Sequence, residues 1–245
     1  MGHPPTPSEN QSEAERASRQ VQDLTEEASV PLHPDLEACR RDGGILPFVS
    51  HKLIHQPYVF MLNKTLNASY EHKRGRYAEY LAAKKWHSLL FLVERPYRLQ
   101  EFFEQQHLMS NEDYWENLGW VYRDSESVNQ YFVPSLLRST RPCRERLMDE
   151  DSAAEFAAMP DEITVFKGYH KGYEWDSDFS FSTSKATAEW FARRFNRPAP
   201  KVLTARVKKT DVIAFMCQRG ESEILADPAL VEILEIQKLR AKSNS

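Results

Sequence analysis

Aromatic residues are absent from the first 47 positions of this 245-residue chain and frequent after them. Up to Phe48 the sequence consists largely of Pro, Ser, Glu, Gln and Ala, with only scattered Val and Leu to bury. A segment of that composition does not bury enough apolar surface to offset the conformational entropy that folding removes. We therefore predict that residues 1–42 form a flexible, disordered arm and that the folded part begins near residue 43.

The composition of the whole chain indicates a folded protein of near-neutral charge. Hydrophobic residues make up 41% of it, aromatic residues 11%, and the formal net charge is −4. That balance lacks the basic excess typical of nucleic-acid-binding proteins. The apolar run at residues 89–93 is far shorter than the ~20 residues of a membrane helix. With its cysteines widely spaced and no signal-peptide pattern, the chain is predicted to be cytoplasmic.

Residues 43–159 are predicted to be a helical region. Six large apolar side chains before Pro96 fall mostly on one helical face: Tyr77, Tyr80, Leu81, Leu89, Leu92 and Val93. A second helix is predicted to begin after Ser110, because residues 110–113 have the spacing of a capping box. Tyr114, Leu118 and Val121 then follow at helical spacing.

The hydrophobic period changes after residue 160. Short runs of β-branched and aromatic residues predict strands at 163–167, 179–183, 203–207 and 212–216. Between them, Ala188, Phe191, Ala192 and Phe195 have the spacing of an amphipathic helix, with Ser184 as the expected N-cap. The sequence therefore predicts an α+β fold, with a helical N-terminal part followed by a sheet-containing core at residues 160–240.

Two polar segments lie at the ends of predicted strands in this core. In residues 165–172 a strand delivers Lys167 and is followed by glycine, tyrosine and histidine. Residues 179–184 end in three hydroxyl side chains directly before the predicted helix. Capping explains Ser184 without a ligand, whereas hydroxyls at a strand end can also position one. A strand end with solvated side chains is the simpler explanation for each segment taken alone.

A third segment places two carboxylates on one face of a strand. Glu221 and Glu223 stand at positions i and i+2, where side chains share a face and raise each other's pKa. Paired carboxylates suit a reaction that passes through a cationic sugar, because one stabilises the cation and the other activates the nucleophile. An exposed strand with two solvated glutamates is the alternative.

In this order, a cation on a strand, an S-T-S strand end and an E-x-E pair resemble the ADP-ribosyltransferase fold, in its arginine–serine–glutamate class. The resemblance covers residues 160–236, and residues 182–192 are similar to bacterial and phage-type members. It implies a split β-sheet core and mono-ADP-ribosyltransferase activity with NAD as co-substrate and no metal. It also implies an effector or toxin-like role.

The resemblance assigns roles to individual residues. Ser182 would brace the nicotinamide-ribose pocket, and Glu223 would be the catalytic glutamate that bonds the ribose 2′-hydroxyl and stabilises the oxocarbenium ion. Glu221 would orient or deprotonate the acceptor, and in that family a glutamate there accompanies arginine as the target. The implied NAD-binding residues are Lys167, Gly168, Tyr169, His170, Ser182, Thr183 and Ser184.

Aromatic and histidine side chains near these motifs are assigned simpler roles. Tyr169 and Tyr173 follow the first motif and are expected to stack on nicotinamide or adenine. Core packing is expected for Phe181, Trp190 and Phe191. His51 and His55 lack the glutamate of a zinc-binding H-E-x-x-H motif, so no metal site is predicted.

Lys167 departs from the family, which carries arginine at this position. Lysine keeps the charge but loses the planar, bidentate geometry with which arginine binds phosphate. A degenerate fold that acts as a binding module therefore stays open. An NAD glycohydrolase, in which water takes the place of the acceptor, is a separate alternative. For a transferase, the expected partners are NAD and a macromolecular acceptor. The net charge favours a protein acceptor over a nucleic acid, and no membrane partner is expected.

Overall fold

The computed structural model describes Ser18 and residues 30–125, 132–173, 175–217 and 222–240. The chain divides into two compact units, Met1–Arg98 and Leu99–Ser245. Each unit combines helices with an antiparallel sheet, so the α+β class predicted from the sequence is confirmed. The boundary between the units falls well before residue 160, where the sequence period changes.

The first unit contains a small antiparallel sheet. Its strands, in sheet order, are β1 (Arg40–Arg41), β2 (Phe48–His51) and β3 (Ile54–Pro57). The helices described in this unit are α1 (Pro34–Ala38), α2 (Asn63–Ala82) and α3 (Trp86–Leu92). Its buried core gathers Leu32, Leu36, Val49, Leu53, Ile54, Leu66, Tyr70 and Val93.

The last part of the predicted arm is folded, so that prediction is wrong for residues 30–42. Leu36 is fully buried in the core of the first unit, four residues after buried Leu32. The Tyr70 hydroxyl donates to Asp35 at 2.6 Å and ties α1 to α2. Two buried leucines four residues apart, together with this part-buried hydrogen bond, anchor the segment. Apart from Ser18, the rest of the predicted arm lies outside the described residues.

Two details of the predicted helical region are also corrected. Residues 48–57 form a β-hairpin, in which Val49 is buried and Ser50 pairs with His55. Strand formers at both ends of this segment favour a hairpin over a helix. The helical run before Pro96 is two helices, because Lys84 adopts a left-handed conformation with φ 52° between α2 and α3.

The second unit contains the sheet predicted for residues 160–240. Its strands are β4 (Glu162–Tyr169), β5 (Ser180–Ser182), β6 (Lys201–Lys208), β7 (Val212–Met216), β8 (Glu223–Ala226) and β9 (Glu232–Lys238). Their order in the sheet is β7-β8-β5-β4-β6-β9, and every neighbouring pair is antiparallel. The four strands predicted from β-branched and aromatic runs are confirmed, whereas β9 was not predicted. On β6, Leu203, Ala205 and Val207 are buried, as their alternation indicates.

A single residue pair joins the two halves of this sheet. Strands β4 and β5 pair only at Phe166 and Ser182, whereas β4 pairs with β6 along its whole length. The sheet thus consists of two three-stranded halves, β7-β8-β5 and β4-β6-β9.

The helices described in the second unit are α4 (Arg98–Gln105), which begins at the boundary, α5 (Asn111–Asp124), α6 (Val133–Leu137), α7 (Glu150–Ala157) and α8 (Lys185–Arg193). The predicted caps are confirmed: Ser110 Oγ accepts the Asp113 N–H at 3.1 Å, and Ser184 Oγ accepts the Thr187 N–H at 3.2 Å. Within the described ranges, no helix is long and apolar enough to cross a bilayer.

Candidate functional site

The sheet brings the three polar segments together on neighbouring strands. Glu223 on β8 lies directly opposite Ser182 on β5, and Ser182 lies opposite Phe166 on β4, one residue before Lys167. Residues directly opposite each other in an antiparallel pair have their side chains on the same face, about 5 Å apart. The S-T-S serine and the second glutamate of E-x-E are therefore neighbours.

These strands line a cavity of about 850 Å³ in the second unit. Its volume lies within the ~300–1,000 Å³ typical of small-molecule sites. Apolar walls come from aromatic side chains, including Phe181 and Phe191. The titratable and hydroxyl-bearing residues of the lining include Tyr122, Lys167, His170, Tyr173, Asp178, Ser180, Ser182, Arg194 and Glu223.

Glu223 is largely buried and is held by hydroxyl groups. The Tyr122 hydroxyl donates to Glu223 Oε1 at 3.1 Å, and the Ser180 side chain is a second partner. Burial raises the pKa of Glu223 above its ordinary value, while Ser180, Tyr122 and the charge of Lys167 act in the opposite direction. The site therefore contains a carboxylate whose charge depends on its hydrogen-bond donors.

Lys167 is engaged inside the protein. Its Nζ lies 2.5 Å from Asp178 Oδ2 and donates to the Ser180 carbonyl at 2.7 Å, and only 11% of its side chain is exposed. Asp178 also accepts the hydroxyl of Tyr173. Burial acts to raise the pKa of Asp178, but Lys167 and Tyr173 outweigh it and the pKa is lowered. The ammonium group expected to hold NAD is thus neutralised by a carboxylate.

The three hydroxyls of the S-T-S segment have separate roles. Ser182 lines the cavity, and its Oγ accepts the Ser184 N–H at 3.0 Å, so its own proton is not used in that bond. Thr183 and Ser184 are not among the lining residues. The Thr183 N–H donates to the Ser222 carbonyl at 2.9 Å, and Ser184 caps α8. Of the three hydroxyls, Ser182 is thus the one that lines this cavity, and the NAD-binding roles expected for Thr183 and Ser184 stay predictions.

The residues around Lys167 also divide between packing and lining. Tyr169 is buried in the core and is absent from the cavity lining, so it is not placed to stack on a ligand. Gly168 does both: it lines the cavity, and it allows α8 to approach, since a Cβ there would lie 1.8 Å from the Ala188 carbonyl oxygen. His170 and Tyr173 line the cavity. Glu221, the other carboxylate of the E-x-E pair, lies outside the described residues.

An arginine that the sequence analysis missed lines the same cavity. The exposed Arg194 guanidinium stacks over the rings of Trp190, Phe191 and Phe195, at 5.2, 6.0 and 4.7 Å. Trp190 is 57% exposed rather than in the core, because it lies on the face of α8 away from the sheet. Phe195 is 73% exposed and has a left-handed backbone with φ 63°, which is uncommon for a bulky residue.

The expected core position of Phe181 is confirmed, although its ring also reaches the cavity wall.

Ser180 could have been found from the sequence, because it lies two residues before Ser182 and so on the same strand face. Tyr122 and Asp178 carry no local signal, since their partners Glu223 and Lys167 are 101 and 11 residues away.

In the part of the chain that the structure describes, no group of three or more His, Cys, Asp or Glu side chains is placed to hold a metal ion. No family model, curated protein or solved structure matches this chain.

Proposed function

We propose that this protein is a mono-ADP-ribosyltransferase, which cleaves the nicotinamide–ribose bond of NAD and transfers ADP-ribose to a protein side chain. The observation that carries the proposal is the register of Ser182 opposite Glu223 on neighbouring strands that line one cavity. The strand that carries Lys167 is next in the sheet. A sheet of two halves joined at one pair supports an ADP-ribosyltransferase-type split core.

The chemistry requires Glu223 in its charged form. The carboxylate would accept the ribose 2′-hydroxyl proton in a hydrogen bond and stabilise the positive charge that develops on the ribose as the C1′–N bond breaks. The electron pair of that bond goes to the nicotinamide ring nitrogen, so nicotinamide leaves as a neutral molecule. The acceptor then bonds to C1′ and loses its proton. Glu221, as the family pattern implies, would orient the acceptor or take that proton, with an arginine side chain as the acceptor.

Arg194 is proposed as the group that binds the pyrophosphate. It lines the cavity, is exposed, and offers the bidentate geometry that phosphate favours. His170 lines the same cavity and offers a second donor. Lys167 would instead act through Asp178 and Ser180, which it holds in place. In this proposal an arginine that directly follows α8 takes the place of the family arginine on β4.

The test is a labelled-NAD transfer assay on cell lysate with purified wild-type protein and Glu223→Gln. The amide keeps the shape of the side chain but not its charge, so we expect transfer to fall at least ~100-fold with the fold intact. Glu235→Gln, which changes an exposed glutamate on β9 outside the cavity lining, is the matched control and should transfer at the wild-type rate. Transfer by Glu223→Gln at near the wild-type rate would rule out the proposed role.

A specific observation also favours a second candidate function, a binding module without catalysis. Lys167 forms an ion pair with Asp178, and a protein that has lost catalytic activity would tolerate such a neutralised cation. A folded wild-type protein that neither labels a protein nor releases nicotinamide would identify this function. Released nicotinamide without labelled protein would identify an NAD glycohydrolase. With the transferase function we also propose a cytoplasmic location and a role as a bacterial or phage effector, as the sequence resemblance implies.

A further inference from the structure

A tyrosine from outside the motif-bearing region contacts the candidate catalytic glutamate. Tyr122 lies in the last turn of α5, well before residue 160, where the resemblance begins. Its hydroxyl donates to Glu223 Oε1 at 3.1 Å, and its side chain is buried in the wall of the cavity. Nothing in the S-T-S or E-x-E pattern accounts for this contact.

Helix α5 holds Tyr122 on a rigid support. Two turns earlier, Tyr114 donates to the Leu136 carbonyl at 2.8 Å, and the Trp115 ring nitrogen donates to the Pro142 carbonyl at 2.9 Å. Directly after Tyr122, Arg123 binds Asp149 at 2.6 Å. These contacts at both ends fix the rotation of the helix, so the Tyr122 hydroxyl has a defined position relative to Glu223.

The Tyr122 hydroxyl is a donor over the working pH range. Burial raises the pKa of Tyr122 well above its ordinary value, and the nearby Glu223 charge acts in the same direction. A phenol that stays protonated donates one hydrogen bond to a carboxylate and stabilises its charged form. Burial favours the neutral form of the same carboxylate, so the donor opposes that effect.

We propose that Tyr122 is a positioning residue, which fixes the orientation of the Glu223 carboxylate and keeps it charged so that it can engage the ribose. The inference rests on the proposed function, because the charged form of Glu223 matters only if it stabilises a cation. The other groups that face Glu223 are the Ser180 hydroxyl on β5, Lys167 on β4 and Asp178 in the segment before β5. The two hydroxyls and Lys167 favour the charged form, and Asp178 opposes it.

The test compares the pH dependence of NAD turnover in Tyr122→Phe and in wild type. Burial raises the pKa of Glu223, and the Tyr122 hydroxyl counteracts that rise by stabilising the charged carboxylate. Without this donor the pKa of Glu223 should rise, so the acidic limb of kcat/KM should move up by about one pH unit. Activity near the acidic limb should therefore fall about tenfold, and activity well above it should fall much less. Incorporation of 3-fluorotyrosine at position 122 should move the limb in the opposite direction, because its hydroxyl is more acidic and a stronger donor.

Tyr70→Phe is the matched control, since it removes a hydroxyl that likewise donates to a carboxylate, Asp35, and that lies outside the cavity lining and α5. It should lower stability and leave the midpoint of the acidic limb unchanged. An acidic limb that coincides in wild type and Tyr122→Phe would overturn the inference, and so would an equal shift in Tyr70→Phe.

A direct titration separates this inference from the proposed function. The side-chain carbon of Glu223, assigned by comparison with Glu223→Gln, is followed by NMR in wild type, Tyr122→Phe and the fluorotyrosine protein. A midpoint that rises in Tyr122→Phe supports the inference even if wild type shows no NAD turnover, in which case only the proposed function fails. An unchanged midpoint overturns the inference whatever the activity. The fluorotyrosine protein gives the same decision if Tyr122→Phe does not fold.

Discussion

At the scale of single residues, Lys167 and Asp178 form an ion pair that links β4 to the segment before β5. Lys167 also binds the Ser180 carbonyl, and the Asp178 carboxylate accepts the Ser180 N–H at 2.9 Å. Ser180 in turn is a partner of Glu223. Lys167 therefore affects Glu223 in two ways. Its charge favours the charged form of the Glu223 carboxylate, and its hydrogen bond to the Ser180 carbonyl fixes a residue that contacts Glu223.

This pair predicts how stability depends on pH. Asp178→Asn leaves Lys167 without its carboxylate, and we expect unfolding to be easier by about 2 kcal/mol at pH 7. That is less than the ~3–5 kcal/mol of fully buried pairs, because the Asp178 side chain is partly exposed. The folded pKa of Asp178 is lowered from 3.8, so the pair stabilises the fold above that value. Its contribution is lost as pH falls through the folded pKa.

Urea unfolding of wild type and Asp178→Asn between pH 7 and pH 3 measures this difference. The gap between the two proteins should be constant from about pH 7 to pH 5 and shrink below about pH 4. Asp176→Asn, an exposed aspartate two residues away, is the control and should stay within ~0.5 kcal/mol of wild type. A gap of the same size at pH 3 would show that Asp178 acts through something other than its charge.

Only part of the candidate site could be predicted from the sequence. Ser182 and Glu223 could be proposed from the sequence because each belongs to a short motif. The spacing of residues within such a motif indicates where a strand ends and which side chains share a strand face. Tyr122 was not found, because its contact with Glu223 spans 101 residues and depends on how α5 packs. The ion pair of Lys167 with Asp178 could not be predicted either, because it depends on how the segment before β5 packs against β4.

The same distinction holds at the scale of elements. Helices α5 and α8 begin where capping serines predicted them, because a cap is a contact over three residues. Strand β9 was missed, since its residues are mostly exposed and its apolar side chains do not alternate with a buried face. The hairpin of β2 and β3 was missed because four-residue strands give too short a pattern to separate from a helix.

The contact of α8 with β4 predicts the effect of a single methyl group. In Gly168→Ala the new Cβ would lie 1.8 Å from the Ala188 carbonyl oxygen and 2.7 Å from the Ala192 nitrogen. Both atoms belong to the helix backbone, so α8 must move away, and we expect a loss of about 1–3 kcal/mol. The displacement also moves Phe191 and Arg194, so NAD binding should weaken.

Chemical denaturation and NAD titration of Gly168→Ala check this, with Gly75→Ala as the control. Gly75 lies inside α2, and a Cβ there would meet nothing within 4 Å. Alanine favours a helix over glycine, so that variant should be more stable by about 0.5–1 kcal/mol. Wild-type stability and NAD affinity in Gly168→Ala would contradict the close packing of α8 on β4.

At the scale of the whole molecule, the described residues of the candidate site belong to the second unit. Every described residue that lines the cavity lies after position 99, as do the strands that carry the three motifs. The first unit has a core and a sheet of its own. If the proposed function holds, we predict that the described part of the first unit, which supplies no lining residue, contributes to recognition of the protein acceptor and not to bond breaking.

A fragment of residues 95–245, which keeps α4 whole, tests that division of roles. We expect it to fold and to release nicotinamide from NAD within a few-fold of the full-length rate, because it contains all the described lining residues. Protein labelling should fall much further if the first unit recognises the acceptor. The measurement is nicotinamide release and protein labelling on the same samples, with Glu223→Gln in the fragment as the blank. A folded fragment that releases no nicotinamide while full-length protein does would show that residues before 95 contribute to catalysis itself.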